Sequence, residues 1–185
     1  MERFGDWSVN ATKPINGGHD VANTNPNLKT PSDLARNETK SVADALNSAL
    51  ADCFALYLKT KNFHWHVSGP HFRDYHLLLD DQAAQIFAVT DAIAERVRKT
   101  GNTTLRSIGD VARHQTIKDN DQPFVAPEAM LAELRDDNLK LVESFRAVKD
   151  AAEEAKDNAT SGIVDEWTDQ AETRAWFLFE ASRKI

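Results

Sequence analysis

The sequence predicts an all-α protein, a four-helix bundle with a short helix in the central crossover. Three observations lead to this prediction. Apolar residues recur every three or four positions through four long segments. Only seven Gly and six Pro interrupt 185 residues, and one long polar connection separates the segments into two pairs. A chain of this length suits one domain, which can fold without a disulfide or a structural metal.

Residues 1–31 precede the helical pattern. They are rich in Asn, Gly and Pro and lack apolar periodicity. We therefore predict a flexible N-terminal arm over residues 1–31 and the bundle domain over residues 32–185. The arm has no apolar signal-peptide core, and no run of residues is apolar enough to cross a membrane. The expected location is the cytoplasm, with no membrane partner.

The first two helices are predicted on either side of a break at Ser68-Gly69-Pro70. Helical periodicity begins near Thr39, and the second helix is predicted as one continuous segment from about His71 to Thr100, ended by Gly101. The inward stripe of the first helix is Leu46, Leu50, Cys53, Tyr57 and His64. That of the second is Phe72, Leu79, Ala83, Ile86, Thr90, Ala94 and Val97.

The second pair of helices follows a link over residues 101–126, in which a short amphipathic helix is predicted between Leu105 and His114. Pro127 is predicted to open the third helix, because Pro suits a first helical turn. The fourth helix is predicted from near Thr160 to about Ala181. Its expected inward residues are Ile163, Trp167, Arg174 and Phe177.

Charge and composition argue against several classes of function. The chain has 22 basic and 29 acidic residues, a net charge of −7, whereas proteins that bind the phosphate backbone are usually basic. The lone Cys53 excludes an internal disulfide and a cysteine-based zinc cluster. The sequence has no Gly-rich phosphate loop and no catalytic Ser or Cys motif.

Histidine and carboxylate residues near the second helix form a candidate metal site. His64 ends the first helix and His76 begins the second, so the turn between them can bring them level. Asp80 lies one turn after His76, and Asp91 and Glu95 share a helix face at a spacing of four. Such ligands suit first-row metals, Fe(II), Mn(II) or Zn(II). The alternative is structural: hydrogen-bonded core histidines, and carboxylates paired with neighbouring Arg or Lys.

Helix length sets a condition on this site. Fifteen residues separate His76 from Asp91, about 22 Å along a straight helix, so one metal ion cannot bind both within one chain. Two copies of the second helix, antiparallel about a two-fold axis, would bring His76 of one chain near Asp91 and Glu95 of the other. A site made of these residues would therefore lie between subunits.

The pattern His-x₁₁-His-x₃-Asp-x₁₀-Asp-x₃-Glu-Arg, from His64 to Arg96, together with Lys61–Pro70 around its first member, resembles the Dps family. These mini-ferritins are named as DNA-binding proteins from starved cells. The resemblance covers residues 40 to 182. It implies a ferritin-like bundle that assembles as a hollow homo-dodecamer with ferroxidase sites at its two-fold interfaces.

The resemblance also implies an activity: oxidation of Fe(II), preferentially with hydrogen peroxide, and storage of ferric iron. The implied catalytic and iron-binding residues are His64 and His76 from one subunit and Asp91 and Glu95 from its mate. Asp80 matches a further metal ligand and Trp65 the neighbouring aromatic residue. A conventional ferritin is disfavoured because no Glu-x-x-His occurs. Haem is not expected, since its interface methionine would have to be Met1 or Met130.

Two departures from the family pattern bear on partners. Residues 1–40 contain five basic and five acidic residues, so the arm is neutral and DNA binding is expected to be weak. The alternative function is a nucleoid-associated protein that compacts DNA, with the ferroxidase activity secondary. The family's pore carboxylate aligns with Gly162, and Asp165, one turn on, is the candidate replacement for iron entry.

Overall fold

The computed structural model describes residue 28 and residues 30–34 and 36–183, and this part of the chain contains six α-helices and no strand. They are α1 Arg36–His66, α2 Phe72–Ala88, α3 Thr90–Lys99, α4 Ile108–His114, α5 Pro127–Glu154 and α6 Asn158–Ser182. The predicted four-helix bundle is confirmed, with α2 and α3 together forming its second member and α4 lying in the crossover. Of the predicted arm, only residues 28, 30 and 31 are described, so its flexibility stays a prediction.

The core lies between two helix pairs. Helix α1 packs against α2 and α3, α5 packs against α6, and α1 also contacts α5 and α4. The largest fully buried side chains are Phe63, Phe145, Leu46, Leu50, Leu56, Leu79, Ile86, Ile93, Leu131, Leu134, Leu141 and Leu178. None of the described helices is long and apolar enough to span a membrane.

The second bundle helix is not continuous, contrary to the prediction. Val89, with φ −87° and ψ −13°, interrupts it between α2 and α3. The Thr90 hydroxyl donates to the Phe87 carbonyl over 2.7 Å, and such side-chain bonds to the preceding turn bend helices. Ile86 and Ile93, on either side, are both fully buried. The apolar pattern therefore continues through the break and does not reveal it.

Three predicted inward residues are wrong. Ile163 and Phe177 of α6 are 37 % and 50 % exposed, whereas their neighbours Val164 and Leu178 are fully buried. The inward face of α6 keeps Trp167 and Arg174 but is turned by roughly 60° around the helix, and it presents small alanines that allow close packing. Phe72 is also exposed, because it lies in the first turn of α2 beyond the end of the core.

Capping side chains determine where two helices begin. The Ser107 hydroxyl accepts from the Asp110 amide, so α4 starts later than predicted. The Asp157 carboxylate accepts from the Thr160 amide, so α6 starts two residues earlier. Side chains of both types are favoured at this position because they satisfy an amide of the first turn. Pro127 opens α5 as predicted.

A buried carboxylate fastens the crossover to the bundle. Asp52 of α1 is completely buried and accepts from the backbone amides of Thr116 and Ile117 at 2.5 and 3.0 Å. The hydroxyls of Thr116 and Ser144 donate to its second oxygen at 3.0 and 2.9 Å. One side chain thereby joins α1, the crossover and α5.

Replacing Asp52 by Ala should therefore destabilise the protein by about 3 kcal/mol, because two buried amides lose their acceptor. Chemical denaturation at fixed protein concentration measures the change. The control Asp44→Ala removes an exposed carboxylate of the same helix that pairs with Lys40, and should change stability by less than about 0.5 kcal/mol. Equal effects of the two substitutions would contradict the anchoring role.

Candidate metal centre

Two histidines face each other where the chain reverses between α1 and α2. Gly69, at φ +105°, provides a left-handed conformation in the turn. The rings of His64 and His76 stack with centroids 3.8 Å apart and planes 22° apart. The structure therefore brings together the two histidines that the sequence predicted to lie level.

Reciprocal hydrogen bonds hold these rings. His64 Nδ1 lies 2.8 Å from the His76 carbonyl oxygen, and His76 Nδ1 lies 2.9 Å from the His64 carbonyl oxygen. A carbonyl oxygen only accepts, so both Nδ1 atoms carry the proton and donate. In the neutral rings the lone pair is then on Nε2. Hydrogen bonds of this kind fix the tautomer and orientation of metal-binding histidines.

Asp80 lies beside the histidine pair. Its Oδ1 is 3.9 Å from His64 Nε2 and 2.7 Å from Lys61 Nζ. The hydrogen bond from Lys61 and its charge lower the pKa of Asp80, and the two histidines add to this effect. Lys61 is the contact that sequence reasoning missed. It is 19 residues from Asp80, and only the chain reversal, with no periodic signal, brings the two together.

Asp91 and Glu95 lie on α3, away from the histidines. Among the described residues, no group of three His, Cys, Asp or Glu side chains is close enough to hold a metal ion. Glu95 pairs with Lys99 at 2.9 Å, with both side chains more than half exposed. The Asp91 carboxylate is exposed and makes no hydrogen bond or ion pair with any residue that the structure describes. Pairing with a neighbouring lysine, the structural alternative for these carboxylates, therefore describes Glu95 but not Asp91.

A buried ion pair holds α3 against the start of α6. Arg96 Nη2 donates to Asp157 Oδ1 over 2.6 Å, and Arg96 Nε donates to the Thr160 hydroxyl over 2.7 Å. Burial acts to raise the pKa of Asp157, but the hydrogen bonds from Arg96 and Thr160 outweigh it, and the pKa is lowered. Since Glu95 immediately precedes Arg96, this contact also fixes the helix that presents the two carboxylates.

The remaining predicted residues are Trp65, Asp165 and the two methionines considered for haem. Trp65 follows His64 and is 59 % exposed. Both carboxylate oxygens of Asp165 contact Lys149 Nζ, at 2.7 and 2.8 Å, so its charge is paired. Met130 is buried in the core, and Met1 lies outside the described residues. The roles of Trp65 in oxidation and of Asp165 in iron entry stay predictions.

Comparison with known proteins finds a family model, sequence relatives and a solved structure that are similar to this chain. The family model for the ferritin-like domain matches residues 43–185. DNA protection during starvation protein 1 of Deinococcus radiodurans is 31 % identical over 78 % of this chain and 70 % of its own length. The DNA protection during starvation protein of Agrobacterium fabrum is 32 % identical over 81 % of this chain and 93 % of its own length. The structure of DpsC from Streptomyces coelicolor superposes with a TM-score of 0.81 at 25 % identity, covering 85 % of this chain and 92 % of that one.

The Arg96–Asp157 pair should make stability depend on acidity. A carboxylate whose folded pKa lies below its unfolded value, about 3.9, stabilises the fold above that value and loses the contribution as the pH falls. When the pH is lowered from 5 to 3, the melting temperature should therefore fall less in Asp157→Asn than in the wild type. At pH 5 the melting temperature of Asp157→Asn should already be lower than that of the wild type. Asp169→Asn, an exposed carboxylate of the same helix, should retain the wild-type slope. The same slope in all three proteins would contradict the prediction.

Proposed function

Because this chain belongs to the ferritin-like superfamily and, within it, to the Dps family, we propose that it binds Fe(II), oxidises it and stores the ferric product. The observation that carries the proposal is the histidine pair. In the two stacked imidazoles, each Nδ1–H donates a hydrogen bond to a backbone carbonyl oxygen. Both Nε2 atoms therefore keep a lone pair that can bind a metal ion. Imidazole and carboxylate ligands together suit Fe(II).

The carboxylates come, in this proposal, from a second copy of the chain. An antiparallel two-fold contact through α2 and α3 supplies Asp91 and Glu95 to the histidines of the mate and creates two equivalent sites. Five exposed apolar side chains on α1 and α2 support such a contact, because an interface would remove their apolar surface from water. They are Leu58, Trp65, Phe72, Leu77 and Phe87, each 45–59 % exposed.

Neither lysine near the site prevents iron binding. Lys99 and Glu95 form an exposed pair, which contributes less than about 1 kcal/mol, so Fe(II) can replace the ammonium group. Asp80 is more than half exposed in its pair with Lys61 and can turn towards His64 Nε2 when iron arrives. Asp91 has no competing partner among the described residues and is the carboxylate best prepared to bind.

The proposed reaction is the two-electron reduction of hydrogen peroxide by two Fe(II) ions. Two Fe(II) ions each give one electron to hydrogen peroxide, which takes up two protons and becomes two water molecules. Pairing the electrons in this way avoids the hydroxyl radical that a single Fe(II) produces. Where only one Fe(II) is bound, we propose that exposed Trp65 supplies the second electron and becomes a radical cation. Iron is the substrate, and haem has no role.

Storage follows from assembly. We propose a homo-dodecamer whose interior collects ferric oxide, in the reducing cytoplasm and alongside the nucleoid. DNA is then protected chemically, since Fe(II) and peroxide are both consumed. Direct compaction of DNA, the second candidate, fits less well because each chain carries a net charge of −7.

Oxidation should depend on the shared residues. In the purified assembly, loaded with Fe(II) without oxygen and then given peroxide, Asp91→Asn should lower the initial rate of ferric absorbance more than tenfold, because a ligand is lost. Asp136→Asn alters an exposed carboxylate of α5 and should retain the wild-type rate. Hydroxyl-radical trapping should show little radical in the wild type. A wild-type rate no higher than that of protein-free buffer would refute the proposal.

Mixed assemblies test whether the site is shared. One parent chain carries His64→Ala and His76→Ala, and the other carries Asp91→Ala and Glu95→Ala; each alone should be inactive. When the two are coexpressed, about half of the two-fold contacts are mixed, and each mixed contact restores one of its two sites. The rate should therefore recover to about one quarter of the wild-type value. No recovery in verified mixed assemblies would contradict the proposal that the site is shared between subunits.

Direct DNA binding should be weak. A protein that contacts many phosphates shows retardation that decreases steeply as salt is added. For this assembly, gel retardation of linear DNA should be absent at about 0.15 M salt. Strong retardation at that salt, falling with a steep slope at higher salt, would favour the DNA-compacting function.

A further inference from the structure

Three polar side chains form a connected cluster in the apolar centre of the bundle. Gln82 of α2, Asn138 of α5 and Arg174 of α6, here termed the central polar cluster, are 3 %, 0 % and 2 % exposed. Arg174 Nε donates to Asn138 Oδ1 over 2.8 Å, and Gln82 Nε2 donates to the Arg174 carbonyl over 3.2 Å. Asn138 Nδ2 donates to the Leu134 carbonyl over 2.8 Å. The cluster therefore joins three of the four bundle positions.

Hydrogen-bond donors outnumber acceptors in this cluster. A guanidinium has five N–H bonds and each amide has two, and the structure pairs one nitrogen of each side chain. Arg174 Nη1 is fully enclosed and has no acceptor, and Gln82 Oε1 is the single enclosed acceptor without a donor among the described side chains. The unpaired N–H bonds of Nη1 belong to a positively charged side chain, and they favour a ligand that accepts hydrogen bonds and carries negative charge.

Charge distinguishes Arg174 from the other buried cations. Lys59 pairs with Glu133 at 2.9 Å and Asp137 at 2.7 Å, whereas Arg174 has no carboxylate partner in the described part of the chain. Burial lowers the pKa of Arg174 to about 10, so its guanidinium remains charged at neutral pH. Burial also raises the pKa of the Cys53 thiol to about 12, so this neighbour supplies no counter-charge.

We propose that the central polar cluster binds one small monovalent anion of the halide class, with Arg174 Nη1 as its principal donor. An unpaired buried charge is unfavourable, and a single negative charge cancels it. A water molecule would accept from Nη1 but leave the charge in place. A divalent anion brings more charge than one guanidinium neutralises. The bound anion would connect α5 and α6 to α2, independently of any iron chemistry.

Halide-dependent melting tests this proposal in the intact assembly. Sodium chloride replaces sodium gluconate at constant ionic strength, so general screening stays the same. The wild-type melting temperature should rise by roughly 3–5 °C for each tenfold increase of chloride above its Kd. The rise should vanish in Arg174→Met. The matched control Arg146→Met removes an exposed arginine of α5 that pairs with Glu172, and should keep the full rise.

Bromide in crystals of the wild-type protein gives a second readout that does not require the variant to fold. An anomalous peak within hydrogen-bond distance of Arg174 Nη1 is expected. The proposal is overturned by the same chloride dependence in Arg174→Met as in the wild type. It is equally overturned by a water molecule, with no anomalous signal, at that position in bromide-grown crystals.

Discussion

The reversal of the chain between α1 and α2 is the constraint on which the candidate site depends. It places the last turn of α1 against the first turn of α2, so that His64 and His76 each bind the other's carbonyl oxygen. Neither imidazole can turn without giving up a hydrogen bond, and both bonds occupy Nδ1. The backbone thus prepares the ring nitrogens for a ligand before any ligand is present. That preparation favours binding, because little side-chain freedom remains to be lost.

Buried charges elsewhere in the fold lie at joints between elements. Asp52 ties the crossover to α1 and α5, and Arg96 with Asp157 ties α3 to the start of α6. In both places the carboxylate receives several donors, which offsets much of the cost of removing it from water. Removing one partner is costly, so these contacts specify which segments meet. Arg174 differs from both, because it is a buried cation with no carboxylate partner among the described residues.

Periodicity was sufficient to predict the helices and the bundle, because apolar spacing reports which face is buried. It could not predict the break at Val89, since Ile86 and Ile93 keep the same spacing on both sides. For α6, the predicted and the observed faces both contain Trp167 and Arg174, so these two residues could not show that Val164 and Leu178 are buried in place of Ile163 and Phe177. The histidine pair was predictable from the break at Ser68-Gly69-Pro70. Lys61 was not, because its pairing with Asp80 exists only after the chain has folded back.

A single chain forms the whole bundle, but its described residues do not form a complete metal site. Its core is buried and its buried carboxylates are paired, yet the histidines lie at the reversal between α1 and α2 whereas Asp91 and Glu95 lie on α3. No cluster of His, Cys, Asp or Glu among the described residues can hold a metal ion. In the proposed assembly, the surface that buries the exposed apolar residues of α1 and α2 is also the one that unites the ligands. In this proposal iron oxidation requires association, because an isolated subunit has no complete site for Fe(II). The same contact that stabilises the shell would thus restrict the reaction to the shell.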